Sequence, residues 1–238
     1  MKRERHSIEY GRFSISYTVV RRERKTLEIA VEPDSTVSIA APIGASAESI
    51  AAKVRKRAPW ILTQQRYFEQ FNPRTPARQY VSGATHLYLG RQYRLRVVKA
   101  HSASVKLTRG TIEIKSCQPE NSEQTKALLD QWYRAKARNK FLERVVGCLE
   151  RFPPRVDVAP NGLAIRVMPK RWGSMSPGGR LSLNIRLIQA PVDAIDYVIT
   201  HELCHRIERN HSPAYFRILK RAMNDWEVRK ARLERILA

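Results

Sequence analysis

The segment from His201 to His205, with Glu202 after the first histidine, constrains the fold of this 238-residue chain more than any other part. Residues four apart on an α-helix differ by about 40° around its axis, so His201 and His205 project from one face. Both imidazoles can then reach a single metal ion, which is the physical content of an HExxH motif. The residues before the motif are apolar and favour a buried helix: Ala194, Ile195, Tyr197, Val198 and Ile199.

A third metal ligand is expected from His211, since three of the six histidines lie within eleven residues. Asn210 tolerates a left-handed helix end, so the chain can turn there and bring His211 back toward the metal. An acidic residue from a later helix, Asp225 or Glu227, is the alternative third ligand. Cys204 is expected to pack in the interior, because three histidines already complete the ligand set.

Three protein ligands would leave one tetrahedral position on Zn²⁺ open for water. The metal then lowers the pKa of that water toward about 7 and polarises a substrate carbonyl. Glu202 is expected to take the proton from the water and pass it to the leaving amine. A chance match, with the histidine pair merely hydrogen-bonded on a helix, is the alternative. The apolar lead-in and the third histidine favour the zinc site.

The chain carries 44 Lys and Arg against 22 Asp and Glu, a formal net charge of +22. Such an excess can attract DNA, RNA or another polyanion through phosphate contacts. A basic proteome or a surface kept soluble by charge explains it equally well. No helix-turn-helix, zinc-finger or RNP-type signature decides between them. One basic cluster is read as a solvated helix face, with nucleic-acid contact as the less favoured reading: Lys53, Arg55, Lys56 and Arg57.

The cysteines and the amino-terminal sequence suggest a cytoplasmic location. The chain has three cysteines and no CxxC pair, a pattern that suggests neither a disulfide framework nor a cysteine-rich zinc site. No stretch approaches the roughly 18 apolar residues of a membrane span, and Met1 to Tyr10 has no apolar run behind its charges. We therefore expect a soluble, unexported protein with no membrane partner.

The first hundred residues alternate apolar and β-branched positions with polar ones, which predicts a small antiparallel sheet and further short strands. Ser46 is expected to cap a helix that runs from Ala47 to the Asn72-Pro73 break. A long helix should then extend from Ser122 to before Pro153. These elements predict a β-rich N-terminal region with one helix over residues 1–118 and a second domain over 119–238. No internal repeat is visible.

The second half should hold a strand at 163–168, a loop at 171–179, an alternating strand at 181–187 and the motif helix from Pro191 onward. The strand at 180–187 is a candidate edge for an extended peptide, with structural packing as the alternative. Trp172, Asn184 and Arg186 are considered as groups that could stabilise a developing oxyanion.

Taken together, these motifs resemble the YgjP-like metallopeptidase family, relatives of the SprT-like and WLM zincins. The main matching residues are Arg171 to Ser174, Leu183 to Leu187, Ala190-Pro191, Asp196 to Val198, the histidine motif and Asn210 to Ser212. The resemblance implies an α+β fold, in which a zincin-like helical metallopeptidase core with a small antiparallel sheet follows the β-rich region. It also implies His201, His205 and His211 as ligands and Glu202 as catalytic acid/base.

Two positions depart from related patterns. The YgjP-like family commonly has Cys after the Trp-Gly-Ser triplet, where this chain has Met175, so a reactive role there would be lost and a packing role would survive. The histidine spacing equals that of metzincins, but Glu208 stands where those enzymes need Gly.

The leading hypothesis is a zinc metallopeptidase that hydrolyses peptide or protein substrates through a metal-activated water. One alternative is a DNA-associated protease, resembling SprT-like enzymes that act on DNA-bound proteins and delivered there by the +22 charge. The other is a basic nucleic-acid-binding module with a structural metal site, against which the intact Glu202 argues. The oligomeric state is not predicted.

Overall fold

The computed structural model describes residues 3–32, 34–69, 78–169 and 171–237. The chain divides into two compact units, one within residues 1–74 and one within residues 75–237, and each has its own hydrophobic core. Helices and small sheets alternate, which confirms the α+β class. No helix in the described part of the chain is long and apolar enough to cross a membrane.

The first unit contains a four-stranded sheet formed by β1 (Arg3–Tyr10), β2 (Phe13–Arg22), β3 (Glu28–Val31) and β4 (Val37–Pro42). Its strand order is β1-β2-β4-β3, with β2 and β4 parallel and the other two pairs antiparallel. The expected antiparallel sheet is therefore a mixed one. The reason is that β3 lies at the edge beyond β4, so β4 returns beside β2 in the same direction.

Helix α1 (Ala47–Glu69) covers this sheet. It begins as predicted, because the Ser46 hydroxyl accepts a hydrogen bond from the Ser49 amide at 3.2 Å. The helix buries a single stripe of small and branched apolar residues at near-helical spacing: Ile50, Val54, Ala58 and Ile61. The predicted helix end at Asn72-Pro73 lies outside the described residues.

The second unit opens with another four-stranded sheet, formed by β5 (Thr85–Tyr88), β6 (Arg91–Lys99), β7 (Ser104–Thr108) and β8 (Thr111–Ser116). Its order, β5-β6-β8-β7, and its pairing directions repeat those of the first sheet. A helix follows in both cases, here α2 (Ser122–Leu149). We call residues 3–69 the first ββββα module and residues 85–149 the second ββββα module. The repeat is one of topology, without a visible sequence repeat.

The second module shares one hydrophobic core with the rest of the second unit. This core contains Ile112 and Ile114 of β8, Leu129 and Phe141 of α2, and Leu203 within the histidine motif. The proposed division into domains 1–118 and 119–238 remains a prediction.

The unit continues with a third sheet and three helices: β9 (Gly162–Arg166), β10 (Gly173–Met175), β11 (Arg180–Asn184), α3 (Val192–Cys204), α4 (Pro213–Ala222) and α5 (Trp226–Leu237). The strand order is β10-β11-β9, with β11 parallel to β9 and antiparallel to β10, so this sheet is mixed rather than antiparallel. The segment expected to be a loop at 171–179 contains β10. The strand expected to reach residue 187 ends at Asn184, where a 3₁₀-helix begins.

Two contacts fix helix α3 against the second module. Buried Asp196 accepts hydrogen bonds from Arg144 at 2.7 and 2.8 Å and from Arg151 at 3.3 Å. Gly90, at a positive φ of 78° in the β5–β6 turn, packs so closely on Pro191 that a Cβ there would lie 2.7 Å from the proline ring. The start and the middle of α3 are therefore held before the motif is reached.

Candidate metal centre

The histidine motif occupies the C-terminal end of α3. The helix ends at Cys204, and His205 follows as its C-cap residue in a right-handed conformation. The rings of His201 and His205 lie 5.1 Å apart between centroids. The helix thus brings the two imidazoles together on one face, as the spacing predicts.

A compact turn after α3 brings His211 to the same place. The amides of Ile207 and Glu208 both donate to the Cys204 carbonyl at 3.0 Å, which reverses the chain soon after the helix ends. The Glu208 carboxylate then accepts a hydrogen bond from the Asn210 amide at 3.1 Å. The expected left-handed conformation at Asn210 is wrong, since among the described non-glycine residues positive φ angles occur elsewhere. Hydrogen bonds within residues 204–212 make the turn instead.

Imidazole nitrogens of His201, His205 and His211 lie within 4.8 Å of one another. Nε2 of His211 is 3.1 Å from Nε2 of His201. Two nitrogens bound to one tetrahedral zinc ion at about 2.0–2.1 Å would be about 3.3 Å apart, so the residues present fit such an ion. The His triad could hold a metal.

The two acidic alternatives for the third ligand are not part of this cluster. The Asp225 carboxylate accepts two hydrogen bonds from the Arg229 guanidinium, both at 2.9 Å. Glu227 lies in the first turn of α5 and is likewise outside the group of side chains that could share an ion with the histidines. Cys204 is also outside that group. Burial raises the pKa of its thiol to about 12, which suits a packing role.

Two residues to which the sequence assigned no role at the site, Glu208 and Tyr215, shape the histidine cluster. The Glu208 carbonyl lies 3.0 Å from Nδ1 of His205, which orients that ring and leaves its Nε2 toward the cluster. Tyr215 of α4 is fully buried, stacks on His205 at 4.7 Å and donates its hydroxyl to the His201 carbonyl at 3.0 Å. An aromatic residue just inside the Ser212-capped helix α4 was the available signal.

The electrostatic surroundings keep part of the histidine cluster neutral. Burial, together with the charges of the neighbouring His205 and His211, lowers the pKa of His201 to about 3. Burial and the nearby His205 also lower the pKa of His211. Neutral imidazole is the form that coordinates metals, so this environment favours binding of a cation.

Glu202 points from α3 toward strand β10 and is buried, with 6% of its surface exposed. The Gly173 backbone passes so close that a Cβ there would lie 2.7 Å from Glu202 Oε1, so a side chain at position 173 would displace the carboxylate. Burial raises the pKa of Glu202 to about 7, although a hydrogen bond from the Met175 backbone and the Arg171 charge act in the opposite direction. Position 175 therefore contacts Glu202 through its main chain, which Met supplies as well as Cys.

A cleft of about 700 Å³ opens over His201, Glu202, His205 and His211. Trp172 lines this cleft, whereas Asn184 and Arg186 do not. The Asn184 amide donates to the carbonyls of Met168 and Arg171, and so it holds the approach to β10.

The strand expected to offer an edge to a peptide lies in the middle of its sheet. Strand β11 is paired on both sides, so its backbone groups are already used. Strand β10 is one of the two edge strands of this sheet, and all three of its residues line the cleft. Strand β11 is central because β9 pairs with it in parallel on the side opposite β10.

Comparison with known proteins assigns the chain to a family. The model of the YgjP-like metallopeptidase domain matches residues 25–236, which include the described histidine cluster and Glu202. No curated protein and no solved structure matches the chain. Because the match covers most of the chain, the protein belongs to the YgjP-like metallopeptidase family.

Proposed function

We propose that this metallopeptidase is zinc-dependent, with His201, His205 and His211 as the zinc ligands and Glu202 as the general base. One observation carries the proposal: three imidazole nitrogens lie within 4.8 Å of one another, beside a buried carboxylate on the same helix. Three nitrogen ligands with an open fourth position are typical of catalytic zinc. The three free cysteines fit a reducing cytoplasm as its location.

Zinc bound there would polarise the substrate carbonyl and make a water molecule more acidic. The Glu202 carboxylate accepts the proton of the attacking water and returns it to the leaving amine. Its burial suits this task, because a pKa near 7 makes the group both a competent base and a competent acid at neutral pH. Gly173 and the Met175 amide hold the carboxylate in place during both transfers.

The peptide substrate is proposed to lie along β10, the edge strand that lines the cleft. An extended chain can add to such an edge through main-chain hydrogen bonds, with little dependence on sequence. It would then pass directly over Glu202, against which β10 is packed.

The experiment that tests this function is hydrolysis of an unfolded protein by wild type and by the Glu202→Gln variant. Glutamine keeps the size and the hydrogen-bond acceptor but cannot take a proton. We expect zinc content to be unchanged and the hydrolysis rate to fall at least 100-fold. Full activity in Glu202→Gln would show that another group is the base. A metal site that is only structural predicts no hydrolysis by wild type.

A groove in the first ββββα module favours nucleic-acid binding as a second function. The groove has a volume of about 580 Å³ and is lined by two apolar residues of the β3 region and by four residues of α1: Leu27, Ile29, Lys53, Lys56, Arg57 and Trp60. The Trp60 ring is 41% exposed among these cations. Aromatic rings between cations are typical of single-strand binding surfaces, where bases stack and phosphates pair.

Binding of a single-stranded oligonucleotide, measured from about 50 to 200 mM salt, tests this second function. We expect affinity to fall steeply with salt, and Trp60→Ala to weaken binding about tenfold by removing a stacked base. The matched control is Phe216→Ala, another aromatic residue that is about as exposed. Flat or absent binding would leave the charge without a nucleic-acid role.

A further inference from the structure

The cleft over the histidine cluster is strongly basic at its rim. Three arginines line it, Arg171, Arg206 and Arg209, while Glu202 is the single acidic lining residue. Within the described part of the chain, no carboxylate lies within ion-pair distance of any of the three guanidinium groups. The rim therefore presents three cationic groups without an ion-pair partner, one of which, Arg171, also acts electrostatically on Glu202.

The arginines stand at both ends of the edge strand. Arg171 lies two residues before β10. At the other end, the Arg206 guanidinium packs on the turn that joins β10 to β11, where a Cβ on Gly179 would lie 2.5 Å from Nη1. Gly179 has a φ of 81°, a backbone conformation that favours glycine at this position of the turn.

Arg206 is held in this position with part of its hydrogen-bonding capacity unused. Its Nε is buried and has no partner in the described residues. Because a buried Nε cannot reach a ligand, a carboxylate in the cleft would be bound by the two terminal nitrogens of this packed guanidinium. Arg209, three residues further along, is exposed and adds charge on the same side of the cleft.

We propose that the cleft selects peptides that carry Asp or Glu on both sides of the scissile bond. The proposal rests on the function proposed above, since it assigns the substrate class of that same site. An extended chain rises about 3.3 Å per residue. Arg171 lies two residues before β10 and Ser176 one residue after it, five positions apart, so the acidic side chains are expected roughly four to six residues from each other.

Binding to the Glu202→Gln protein in zinc-containing buffer separates selection from catalysis. Three fluorescein-labelled peptides share one apolar centre and carry Asp, Asn or Lys on both flanks. Fluorescence anisotropy at about 150 mM salt should show the Asp peptide bound at least tenfold more tightly than the Asn peptide, with the Lys peptide weakest. Equal affinity for the three peptides would overturn the proposal.

A protein of net charge +22 attracts acidic peptides non-specifically, so the variants must be charge-matched. Arg209→Gln and Arg206→Lys alter the cleft, the second without changing the net charge. Arg138→Gln removes one exposed charge from α2, away from the cleft-lining residues. We expect Arg209→Gln and Arg206→Lys each to reduce the Asp over Asn preference at least threefold, and Arg138→Gln to leave it unchanged. An equal reduction in Arg138→Gln would show that the attraction is only general.

The kcat/KM of wild type on the same three peptides separates the preference for acidic peptides from the peptidase function itself. Faster cleavage of the Asp peptide supports both. Cleavage of all three at the same rate overturns the selection and leaves the peptidase function standing. Selective binding of the Asp peptide without any cleavage would support the acidic ligand class and contradict hydrolysis at this site.

Discussion

The two ββββα modules have the same strand order and the same pairing directions, but their helices pack differently. Helix α1 of the first module buries one stripe of four residues and turns a basic face outward. Helix α2 of the second module buries residues along its whole length, from Thr125 to Cys148, and packs on the third sheet and α3 as well as on its own sheet. The same topology can therefore form a core of its own, or it can also pack against the elements that carry a functional site.

The difference lies in a few side chains that connect the second module to α3. Arg144 on α2 and Arg151 just after it bind the Asp196 carboxylate, and the β5–β6 turn packs on Pro191 through Gly90. The first module carries none of the cleft-lining residues. We expect damage to these connections to disturb the metal centre, and damage to the first core to leave it intact.

The largest effect is expected from Asp196→Ala. It leaves two guanidinium groups partly buried without their carboxylate, which should lower the free energy of unfolding by about 4 kcal/mol. Zinc affinity should fall with it, because α3 carries His201. Denaturant unfolding and zinc titration measure both. The control is Asp225→Ala, which removes an exposed carboxylate paired with Arg229 and should cost less than about 1 kcal/mol.

Gly90→Ala should come next. The new methyl group would lie 2.7 Å from the Pro191 ring, and the backbone φ of 78° is unfavourable for alanine. We expect a loss of about 3 kcal/mol in unfolding free energy, together with weaker zinc binding. Gly83→Ala has a similar positive φ of 92° but open space around it, so it isolates the backbone part of the cost. Equal losses in the two variants would mean that the Pro191 contact contributes nothing.

Val54→Ala tests whether the metal centre is independent of the core of the first module. Val54 is fully buried in the core of the first module, so the cavity should cost about 2 kcal/mol. Thermal unfolding should show the loss, while zinc content and kcat/KM on a neutral peptide stay within about twofold of wild type. A matching loss of zinc would contradict the separation of the two modules.

The smallest effect concerns Glu234 on α5, and it depends on pH. Burial raises the pKa of its carboxyl from 4.5 to about 7, although Lys230 lies 3.9 Å away as an i,i+4 partner that favours the charged form. The folded state therefore binds the proton more tightly, so Glu234 lowers stability progressively as pH rises from about 4.5 to 7. Glu234→Gln removes this cost and should raise the free energy of unfolding by about 1–2 kcal/mol at pH 8, with little change at pH 4. A stability difference that does not vary with pH would show that the carboxyl titrates normally in the folded protein.

The sequence predicted those features that depend on local spacing. The His201 and His205 pair, the Ser46 cap and the long helix after Ser122 follow from helix period and capping chemistry. Strand β10 was missed, because a three-residue strand that begins with glycine is too short to show an alternation of apolar and polar residues. Its place is set by pairing with β11 and by contact with Glu202, and both are distant in sequence.

The residues that contact the histidines could not be predicted from the sequence either, because these contacts also depend on the folded path of the chain. Tyr215 and the Glu208 carbonyl act on the histidines only once the turn at 205–212 has formed. The mixed pairing of all three sheets also depends on the path of the chain between strands, which strand alternation does not record. Long-range pairing, rather than residue preference, accounts for most of what was missed.

Metal analysis of purified wild type, His211→Ala and Asp225→Ala is the most direct test of the histidine ligand set. We expect about one zinc per chain in wild type and in Asp225→Ala, and at least tenfold weaker zinc binding in His211→Ala because one of three ligands is lost. Retention of tightly bound zinc by His211→Ala, together with its loss from Asp225→Ala, would contradict the histidine triad.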